Sequence, residues 1–482
     1  MSLKPKDKLH IVFFPFMAHG HMIPMLDTAT LFAARGIKAT IITTPRNFPI
    51  FARANETGHP SIEIEVFRFP SLENGLPEGC ENLGQAMKSI EMAEKFIKSA
   101  AMLRQQLEQY LEKSRPHFLV ADMFFPWATE CAAKFNIPRL IFHGISFFAH
   151  CTKDMIMVYQ PYKHVSSDED PFVIPYFPNE ITLTRSQIPE DLMKHEQSEL
   201  KKRHEKIQES ELQCYGVIVN SFYELEPDYV DFFKKKLGRR AWHIGPVSSC
   251  NKSLKDKAQR GGGEASMNEH ECLKWLNLRK PNSVIYICFG SLANFIVPQL
   301  QEIAKALEAL EYDFIWVLRD DRIAKNEEWL PLGFKKRTQG KGLLIGGWVP
   351  QVLILEHEAT GAFVTHCGWN STLEAISAGI PMVTWPLFAE QFYNEKLVNH
   401  ILKIGTPVGA KKWKAVHSIE DVVEHNDIEK AIKNIMEGDE TQAMRNRAKN
   451  LKEMARKAME EDGSSYRDLC SLINELRDHY TP

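Results

Sequence analysis

The most informative stretch of this chain is residues 348–391, WVPQVLILEHEATGAFVTHCGWNSTLEAISAGIPMVTWPLFAEQ. Short apolar runs of strand length alternate here with histidines, tryptophans, glutamates and an Asn-Ser pair. Where the apolar run GAFVT gives way to a helical pattern, the new helix presents unpaired backbone N–H groups and its positive dipole end. Such a terminus binds anions, so the stretch predicts a strand-turn-helix cleft for a nucleotide sugar.

Individual side chains in this stretch support the same interpretation. Trp348, at a strand end, can stack on a flat base, a contact worth roughly 1 to 3 kcal/mol. His366, Gly368, Asn370 and Ser371 fall at the strand-to-helix switch, where a diphosphate fits. Glu374 follows Asn370 by four residues and so shares its helix face, where a carboxylate can accept from ribose hydroxyls. A core tryptophan and an exposed helix glutamate are the plain alternatives for Trp348 and Glu374.

The rest of the chain repeats the strand-helix alternation in two blocks. The first block contains LHIVFFPF, KATIIT, IEIEVF, FLVAD, RLIFHG and GVIVNS, and the second contains VIYICFGS, FIWVLR, GLLIGG, GAFVTH and PMVTWP. Near-continuous apolar strands separated by helices favour parallel sheets that are covered on both faces. The sequence therefore predicts an α/β protein with two doubly wound sheets.

A polar, charged stretch separates the two blocks. Residues 248–267 include three successive glycines, Gly261–Gly263. A flexible linker is favoured over a phosphate loop, because no strand leads into the glycines and no Lys-Ser or Lys-Thr follows them. The predicted units are therefore residues 1–247, a linker over 248–267, and residues 268–463, followed by a last helix over 464–482.

Composition excludes several classes of function. At 482 residues the chain suits two domains, and its net charge of −3 gives no field that would attract nucleic acid. The nine cysteines are singly spaced, which favours a reducing, cytoplasmic location, and no segment suits a signal peptide or membrane span. We expect no metal, because HEATG at His357 lacks a second histidine and no cluster has metal-ligand spacing. The absence of G-x-S-x-G and G-x-G-x-x-G disfavours a serine hydrolase and a dinucleotide-dependent oxidoreductase.

The stretch from Trp348 to Gln391 resembles the signature box of plant secondary-product glycosyltransferases, the family 1 UDP-sugar-dependent enzymes. WVPQ, FVTHCGWNS, LEAI, GIPMVTWP and AEQ occur in the family's order and spacing, and FPFMAHGHMIP, LVADMFFPWA and GPV extend the resemblance over the chain. It implies the GT-B fold, in which two Rossmann-like domains face each other across a cleft. Residues 1–247 would bind the acceptor, residues 268–463 would bind the UDP-sugar, and the last helix would pack back on the first domain.

The resemblance also implies a donor site, residue by residue. Trp348 would stack on uracil, with Val349 beside it, while Gln351 and Glu374 would hold the ribose. The diphosphate would be bound by His366, Gly368, Asn370, Ser371 and Ser291, and the sugar hydroxyls by Trp369, Glu390 and Gln391. In this family a glutamine at the end of the box accompanies glucose donors, so Gln391 favours UDP-glucose over other UDP-sugars. Glu390 departs mildly from the aspartate of many relatives.

Transfer to an acceptor hydroxyl needs a general base, and the loop after the first strand offers His19 and His21. The residues alone do not choose between them. The resemblance assigns the base to His21, in Gly-His, and its carboxylate partner to Asp122, which otherwise suits a helix cap. The implied outcome is inversion to a β-glucoside. His19, Phe148 and Phe388 are then candidates for acceptor binding.

These observations predict an inverting glucosyltransferase that uses UDP-glucose as co-substrate, needs no further cofactor and acts on a small phenolic plant metabolite. We expect it to act as a monomer, without nucleic-acid partners. One alternative is a non-catalytic nucleotide-sugar binding protein, which the presence of both His21 and Asp122 disfavours. Another is an oxidoreductase on the same topology.

Overall fold

The computed structural model describes residues 8–52, 62–193, 199–260, 269–293, 295–318, 329–414 and 422–480. The predicted glycine run Gly261–Gly263 lies outside these ranges. The strands of the described ranges are β1 (His10–Phe14), β2 (Lys38–Thr43), β3 (Glu63–Val66), β4 (Phe118–Asp122), β5 (Arg139–His143), β6 (Pro171–Val173), β7 (Thr182–Thr184), β8 (Gly216–Val219), β9 (Ala241–His243), β10 (Val284–Cys288), β11 (Asp313–Leu318), β12 (Gly342–Gly346), β13 (Thr360–Thr365), β14 (Met382–Thr384) and β15 (Gly405–Pro407).

The helices of the described ranges alternate with these strands. They are α1 (His19–Ala33), α2 (Phe48–Ala52), α3 (Leu83–Ala86), α4 (Ile90–Ala101), α5 (Arg104–Ser114), α6 (Ala128–Ala133), α7 (Phe147–Tyr159), α8 (Glu190–Met193), α9 (Glu199–Leu212), α10 (Pro227–Asp231), α11 (Leu254–Gln259), α12 (Glu269–Leu276), α13 (Val297–Ala309), α14 (Phe334–Arg337), α15 (Gln351–Glu356), α16 (Trp369–Ala378), α17 (Gln391–Lys396), α18 (His425–Met436), α19 (Thr441–Met459) and α20 (Ser464–Tyr480).

The strands form two separate parallel sheets. The seven-stranded sheet has the order β3-β2-β1-β4-β5-β8-β9, and the six-stranded sheet has the order β12-β11-β10-β13-β14-β15. We call the seven-stranded sheet with its helices the first lobe, and the six-stranded sheet with its helices the second lobe. All strand pairs of the two sheets are parallel, and β6 and β7 form a small antiparallel hairpin beside them. The predicted α/β class and the two doubly wound sheets are confirmed.

Burial explains why the apolar runs form central strands. Every residue of β1, β4, β5 and β10 is buried, as expected for strands with helices on both faces. In each sheet the chain order reverses beside the first strand, so β1 lies between β2 and β4, and β10 lies between β11 and β13. Ligands bind doubly wound folds at this switch point, outside the carboxyl ends of the strands.

The last helix packs on the first lobe, although it follows the second lobe in sequence. Leu469, Leu472, Ile473 and Leu476 of α20 share a core with residues of β4, β5 and β8. The Tyr215 hydroxyl also donates to Glu475 at 2.8 Å. The chain thus crosses back to the first lobe, in the manner that the resemblance implied for this helix.

The polar stretch after the first lobe contains more regular structure than its composition indicated. Residues 254–259 form α11, which begins with a capping box in which Asp256 N–H donates to Ser253 and Ser253 N–H donates to Asp256. Within the described ranges, no helix combines the length and apolarity that crossing a membrane would require.

Candidate active site

A cleft of about 1860 Å³ lies between the two lobes. Its walls are formed by the segments that follow β1, β2, β4 and β5 on one side and β10, β12, β13 and β14 on the other. Fifteen of the predicted site residues line this cleft, namely His19, His21, Ser291, Trp348, Val349, Gln351, His366, Gly368, Trp369, Asn370, Ser371, Glu374, Phe388, Glu390 and Gln391. Asp122 lies behind His21, and Phe148 lies elsewhere.

His21 and Asp122 form a hydrogen-bonded pair at the cleft wall. Nδ1 of His21 lies 2.7 Å from Oδ2 of Asp122, whose side chain is fully buried while that of His21 is 22% exposed. His21 stands in the first turn of α1, and Asp122 is the last residue of β4. Because β1 and β4 are neighbours, the two carboxyl ends bring these residues together although 101 positions separate them.

The protonation of His21 depends on this partner. Burial opposes the charged form of the ring, but the negative charge of Asp122 and its hydrogen bond outweigh burial and raise the pKa of His21 above its ordinary value. The more distant Glu390 acts in the same direction. Since Nδ1 faces Asp122, the Nε2 atom is left for a ligand in the cleft.

Asp122 is itself held by groups around the end of β4. Its Oδ1 accepts from the backbone N–H of Phe124 at 3.0 Å, and its carbonyl accepts from the buried guanidinium of Arg139 at 2.8 Å. Arg139 also donates to the Thr129 hydroxyl at 2.6 Å. The carboxylate therefore has a fixed orientation toward His21.

His19 lies nearer to the donor wall than its assignment to the acceptor indicated. Its ring centroid is 5.4 Å from that of Trp348, with an angle of 35° between the planes. His19 begins α1 two residues before His21, so the two histidines point to different parts of the cleft. The indole Nε1 of Trp348 is buried and has no hydrogen-bond partner in the described part of the chain.

The residues predicted to bind the diphosphate lie around the N-terminus of α16. Gly368 precedes the helix, and His366 is packed so closely against Gly290 and Gly368 that a Cβ at Gly290 would lie 2.7 Å from the imidazole. Burial lowers the pKa of His366 to about 4, so its ring is neutral at pH 7. Its Nδ1 has no partner among the described residues. Asn370 donates across the cleft to the Gly20 carbonyl at 2.7 Å.

The predicted ribose residues lie side by side. Gln351 Nε2 donates to Glu374 Oε2 at 2.7 Å and approaches the Ser371 hydroxyl at 3.2 Å. The other oxygen of Glu374 accepts from Arg260, a residue of the polar stretch that the sequence interpretation did not select. Arg260 directly follows the last residue of α11, and no periodic pattern or motif in the sequence indicates its role.

The residues predicted to bind the sugar are also held by neighbouring groups. Gln391 Oε1 accepts from the backbone N–H groups of Leu387 and Phe388 at 2.9 and 3.0 Å, which leaves the amide Nε2 as a donor. Burial raises the pKa of Glu390, although His21 and the Asn394 side chain favour its charged form. The Phe388 ring lies 6.5 Å from that of His366 and so lines the donor side of the cleft.

Two predicted contacts require correction. Phe148 does not line the cleft: it is fully buried against Phe177 and Tyr229, with ring centroids 5.7 and 4.7 Å away. Ala149 and Lys153, four residues apart on α7, line the cleft instead. The predicted residue, Phe148, is one position before the helix face that meets the cleft. The indole N–H of Trp369 donates to the Asn220 carbonyl at 2.7 Å, so it is not available for a sugar hydroxyl.

The first-lobe half of the cleft carries aromatic and cationic side chains. The Phe124 ring lies 5.2 Å from the His21 ring, and the Arg203 guanidinium lies 5.2 Å above the Phe124 ring. Basic side chains from four segments line this half, against the carboxylate of Glu190; they are Arg46, Lys88, Lys153 and Arg203. Such a surface is suited to an aromatic ligand with a polar or anionic substituent.

Three buried residues outside the cleft lie close enough together to be metal ligands. The sequence did not predict this cluster, because its residues come from different strands and helices. They are His143, His150 and Glu211. Glu211 lies 3.1 Å from His143 Nε2 and 3.0 Å from His150 Nε2, but it also pairs with the Arg239 guanidinium at 2.8 Å. Burial opposes charge on His150, yet Glu211 raises the pKa of this ring. The group is thus already balanced as an ion-pair network.

Comparison with known proteins agrees with this geometry. The family model described as UDP-glucoronosyl and UDP-glucosyl transferase matches residues 8–448. A scopoletin glucosyltransferase of Nicotiana tabacum is 54% identical over 472 residues, covering 97% of this chain and 98% of the relative. A UDP-glucose flavonoid 3-O-glucosyltransferase 7 of Fragaria ananassa is 53% identical over 486 residues, covering 99% and 98%.

A solved structure gives the same result in three dimensions. UGT73P12 of Glycyrrhiza uralensis, crystallised with glycyrrhetinic acid 3-O-monoglucuronide, superposes with a TM-score of 0.91 at 40% identity, covering 98% of this chain and 96% of that one. The GT-B arrangement of two Rossmann-like lobes is therefore confirmed. With a family match over most of its length and relatives above half identity, this chain belongs to the UDP-glucoronosyl and UDP-glucosyl transferase family.

Proposed function

We propose that this protein transfers glucose from UDP-glucose to a hydroxyl of a small phenolic plant metabolite and produces a β-glucoside. The observation that carries the proposal is the His21–Asp122 pair, which lies 2.7 Å apart on one wall of a cleft whose other wall carries the donor-site residues implied by the resemblance. The names of the similar proteins include scopoletin and flavonoid glucosyltransferases, which supports a phenolic acceptor.

In the proposed reaction, Nε2 of His21 removes the proton of the acceptor hydroxyl as its oxygen attacks the anomeric carbon of glucose. The bond from that carbon to the UDP oxygen breaks, and UDP leaves with the electron pair. Attack on the face opposite the leaving group inverts the anomeric centre. Asp122 stabilises the imidazolium that forms, and the N-terminus of α16 stabilises the negative charge that develops on the diphosphate.

The donor contacts follow the predicted assignments, with changes where the geometry requires them. Trp348 and Val349 would bind the uracil, and Gln351 and Glu374 the ribose. His366, Gly368, Asn370, Ser371 and Ser291 would surround the diphosphate. Gln391 would donate its amide N–H to a glucose hydroxyl, beside Glu390, whereas the indole N–H of Trp369 is already bonded to the Asn220 carbonyl.

We further propose that the reaction needs no metal or other cofactor. Charge on the diphosphate can be met by the helix N-terminus, and the one buried group with metal-ligand spacing in the described ranges is balanced by Arg239. A cytoplasmic monomer is the state that we propose. Singly spaced cysteines support the location, and the predicted base and donor residues all come from one chain, so one copy suffices for the proposed reaction.

Incubation of the purified protein with UDP-glucose and a panel of phenols tests the proposal. We expect UDP release that depends on the phenol, and an NMR coupling of the anomeric proton that identifies the product as the β-anomer. An α-glucoside would overturn the inverting mechanism. A protein that binds UDP tightly but releases none from UDP-glucose with any phenol would be a nucleotide-sugar binding protein instead.

A further inference from the structure

Arg260 connects the predicted ribose site to the helix that carries His21. Its Nε donates to Oδ2 of Asp27, in α1, at 2.9 Å, and its Nη1 donates to Oε1 of Glu374, in α16. The side chains of Arg260, Asp27 and Glu374 are exposed by 10%, 5% and 7%. One guanidinium thus bridges two buried carboxylates, one from each lobe.

The remaining oxygen of each carboxylate is also held. Asn251 donates to Oδ1 of Asp27 at 2.9 Å, and Gln351 donates to Oε2 of Glu374 at 2.7 Å. The five side chains form a continuous row from α1 to the predicted ribose site. Each carboxylate oxygen has further acceptor capacity, so Glu374 can still accept from the hydroxyls of a ribose.

The guanidinium has a chemical consequence for Glu374. Taking a carboxylate out of water without a positive partner costs free energy. Arg260 supplies that partner at short range and fixes the plane of the carboxylate, because an arginine fork permits few orientations. Gln351 alone cannot replace this charge.

This inference rests on the proposed assignment of Glu374 to the ribose. We propose that Arg260 is a positioning residue for the nucleotide, which holds the carboxylate of Glu374 in the orientation that accepts from the 2′- and 3′-hydroxyls. It acts through Glu374 and does not itself contact the ribose. Recognition of the ribose then depends on Arg260, which lies in the segment between the two lobes, and on its ion pair with Asp27 of α1.

A matched pair of ligands separates this role from a purely structural one. We would titrate the full-length protein calorimetrically with UDP and with 2′,3′-dideoxy-UDP, which lacks both ribose hydroxyls. In Arg260→Gln we expect the affinity for UDP to fall about 10-fold, the loss of one charge-assisted interaction, while the affinity for the dideoxy nucleotide changes less than about 3-fold. The preference for the natural ribose therefore shrinks. Lys255→Gln, on the exposed side of α11, is the control and should alter neither affinity.

Arg260→Lys keeps the charge but loses the fork, so it should reduce the preference for UDP by a smaller factor. It also serves if Arg260→Gln does not fold. An unchanged ratio between the two nucleotides in the folded variants would overturn the proposal, as would an equal loss for both. Failure of the transferase proposal gives a different result. The wild-type protein would still prefer UDP over the dideoxy nucleotide, but it would release no UDP from UDP-glucose in the presence of phenols.

Discussion

Nδ1 of His21, in the first turn of α1, lies 2.7 Å from Oδ2 of Asp122, the last residue of β4. The pair occupies the switch point beside β1, where doubly wound folds bind ligands. Asp122 is fixed by Phe124 N–H and Arg139, so the imidazole is held with Nδ1 toward the carboxylate. A histidine oriented in this way can act as a base toward the cleft.

Replacement of His21 by alanine should abolish most of the turnover and leave nucleotide binding intact. Loss of a general base lowers the rate by about 100-fold or more, because the acceptor hydroxyl must then lose its proton to water. The measurement compares kcat with the calorimetric affinity for UDP. His19→Ala is the control, and it should retain turnover within about 10-fold, since its ring lies against Trp348. The reverse ranking of the two variants would move the base to His19.

Asp122→Asn should change the pH profile as well as the rate. The carboxylate raises the pKa of His21 against the effect of burial, so activity that requires the neutral ring is lost as pH falls through this raised pKa. An amide removes the negative charge, and the acid limb of kcat/KM should therefore move to lower pH. The plateau should fall by about 100-fold or more, because the imidazolium is no longer stabilised. An acid limb that stays in place would show that another group titrates.

The sequence predicts some features of the fold and the site but not others. The parallel sheets follow directly from buried apolar runs, and the helix N-terminus after β13 follows from the switch at THCGWNST. Phe148 was misplaced because a buried helix such as α7 is apolar on several faces, so its pattern does not reveal which face meets the cleft. Arg260 and Glu211 were missed because their partners lie 233 and 68 residues away, and long-range ion pairs leave no local pattern.

Trp348→Ala should weaken UDP binding by about 5- to 100-fold, the equivalent of one lost base stack. Trp348→Phe keeps an aromatic face and should remain within a few-fold of the wild type. The indole Nε1 has no partner among the described residues, so the phenylalanine variant breaks no hydrogen bond seen there. Equal affinities in the alanine variant and the wild type, measured by titration with UDP, would place the uracil elsewhere.

Acceptor charge should affect KM, because the first-lobe half of the cleft carries Arg46, Lys88, Lys153 and Arg203 against Glu190. A hydroxybenzoate should have a KM about 5-fold lower than its methyl ester at low salt, since a solvent-exposed ion pair contributes up to about 1 kcal/mol. The difference should shrink at high ionic strength. Equal KM values for acid and ester at low salt would contradict this prediction, while turnover of both would still support the proposed reaction.

Arg139 should matter more for stability than any exposed arginine. Its side chain is buried, and burial lowers its pKa to about 10, so it remains charged at pH 7. It donates to the carbonyls of Asp122 and Pro126 and to the Thr129 hydroxyl. Arg139→Met removes these three hydrogen bonds, so the Asp122 and Pro126 carbonyls keep only the backbone N–H groups of Phe125 and Thr129. We expect the free energy of unfolding of the first lobe to fall by about 2 to 4 kcal/mol.

Urea unfolding followed by circular dichroism measures this loss. The matched control is Arg68→Met, because Arg68 forms an ion pair with Glu73 at 2.6 Å but is 77% exposed. Such a surface pair contributes at most about 1 kcal/mol, so the control should unfold close to the wild type. Since Arg139 holds the backbone of Asp122, Arg139→Met should also lower kcat in the fraction that remains folded at low urea. Similar transitions for the two variants would show that the buried guanidinium does not stabilise the end of β4.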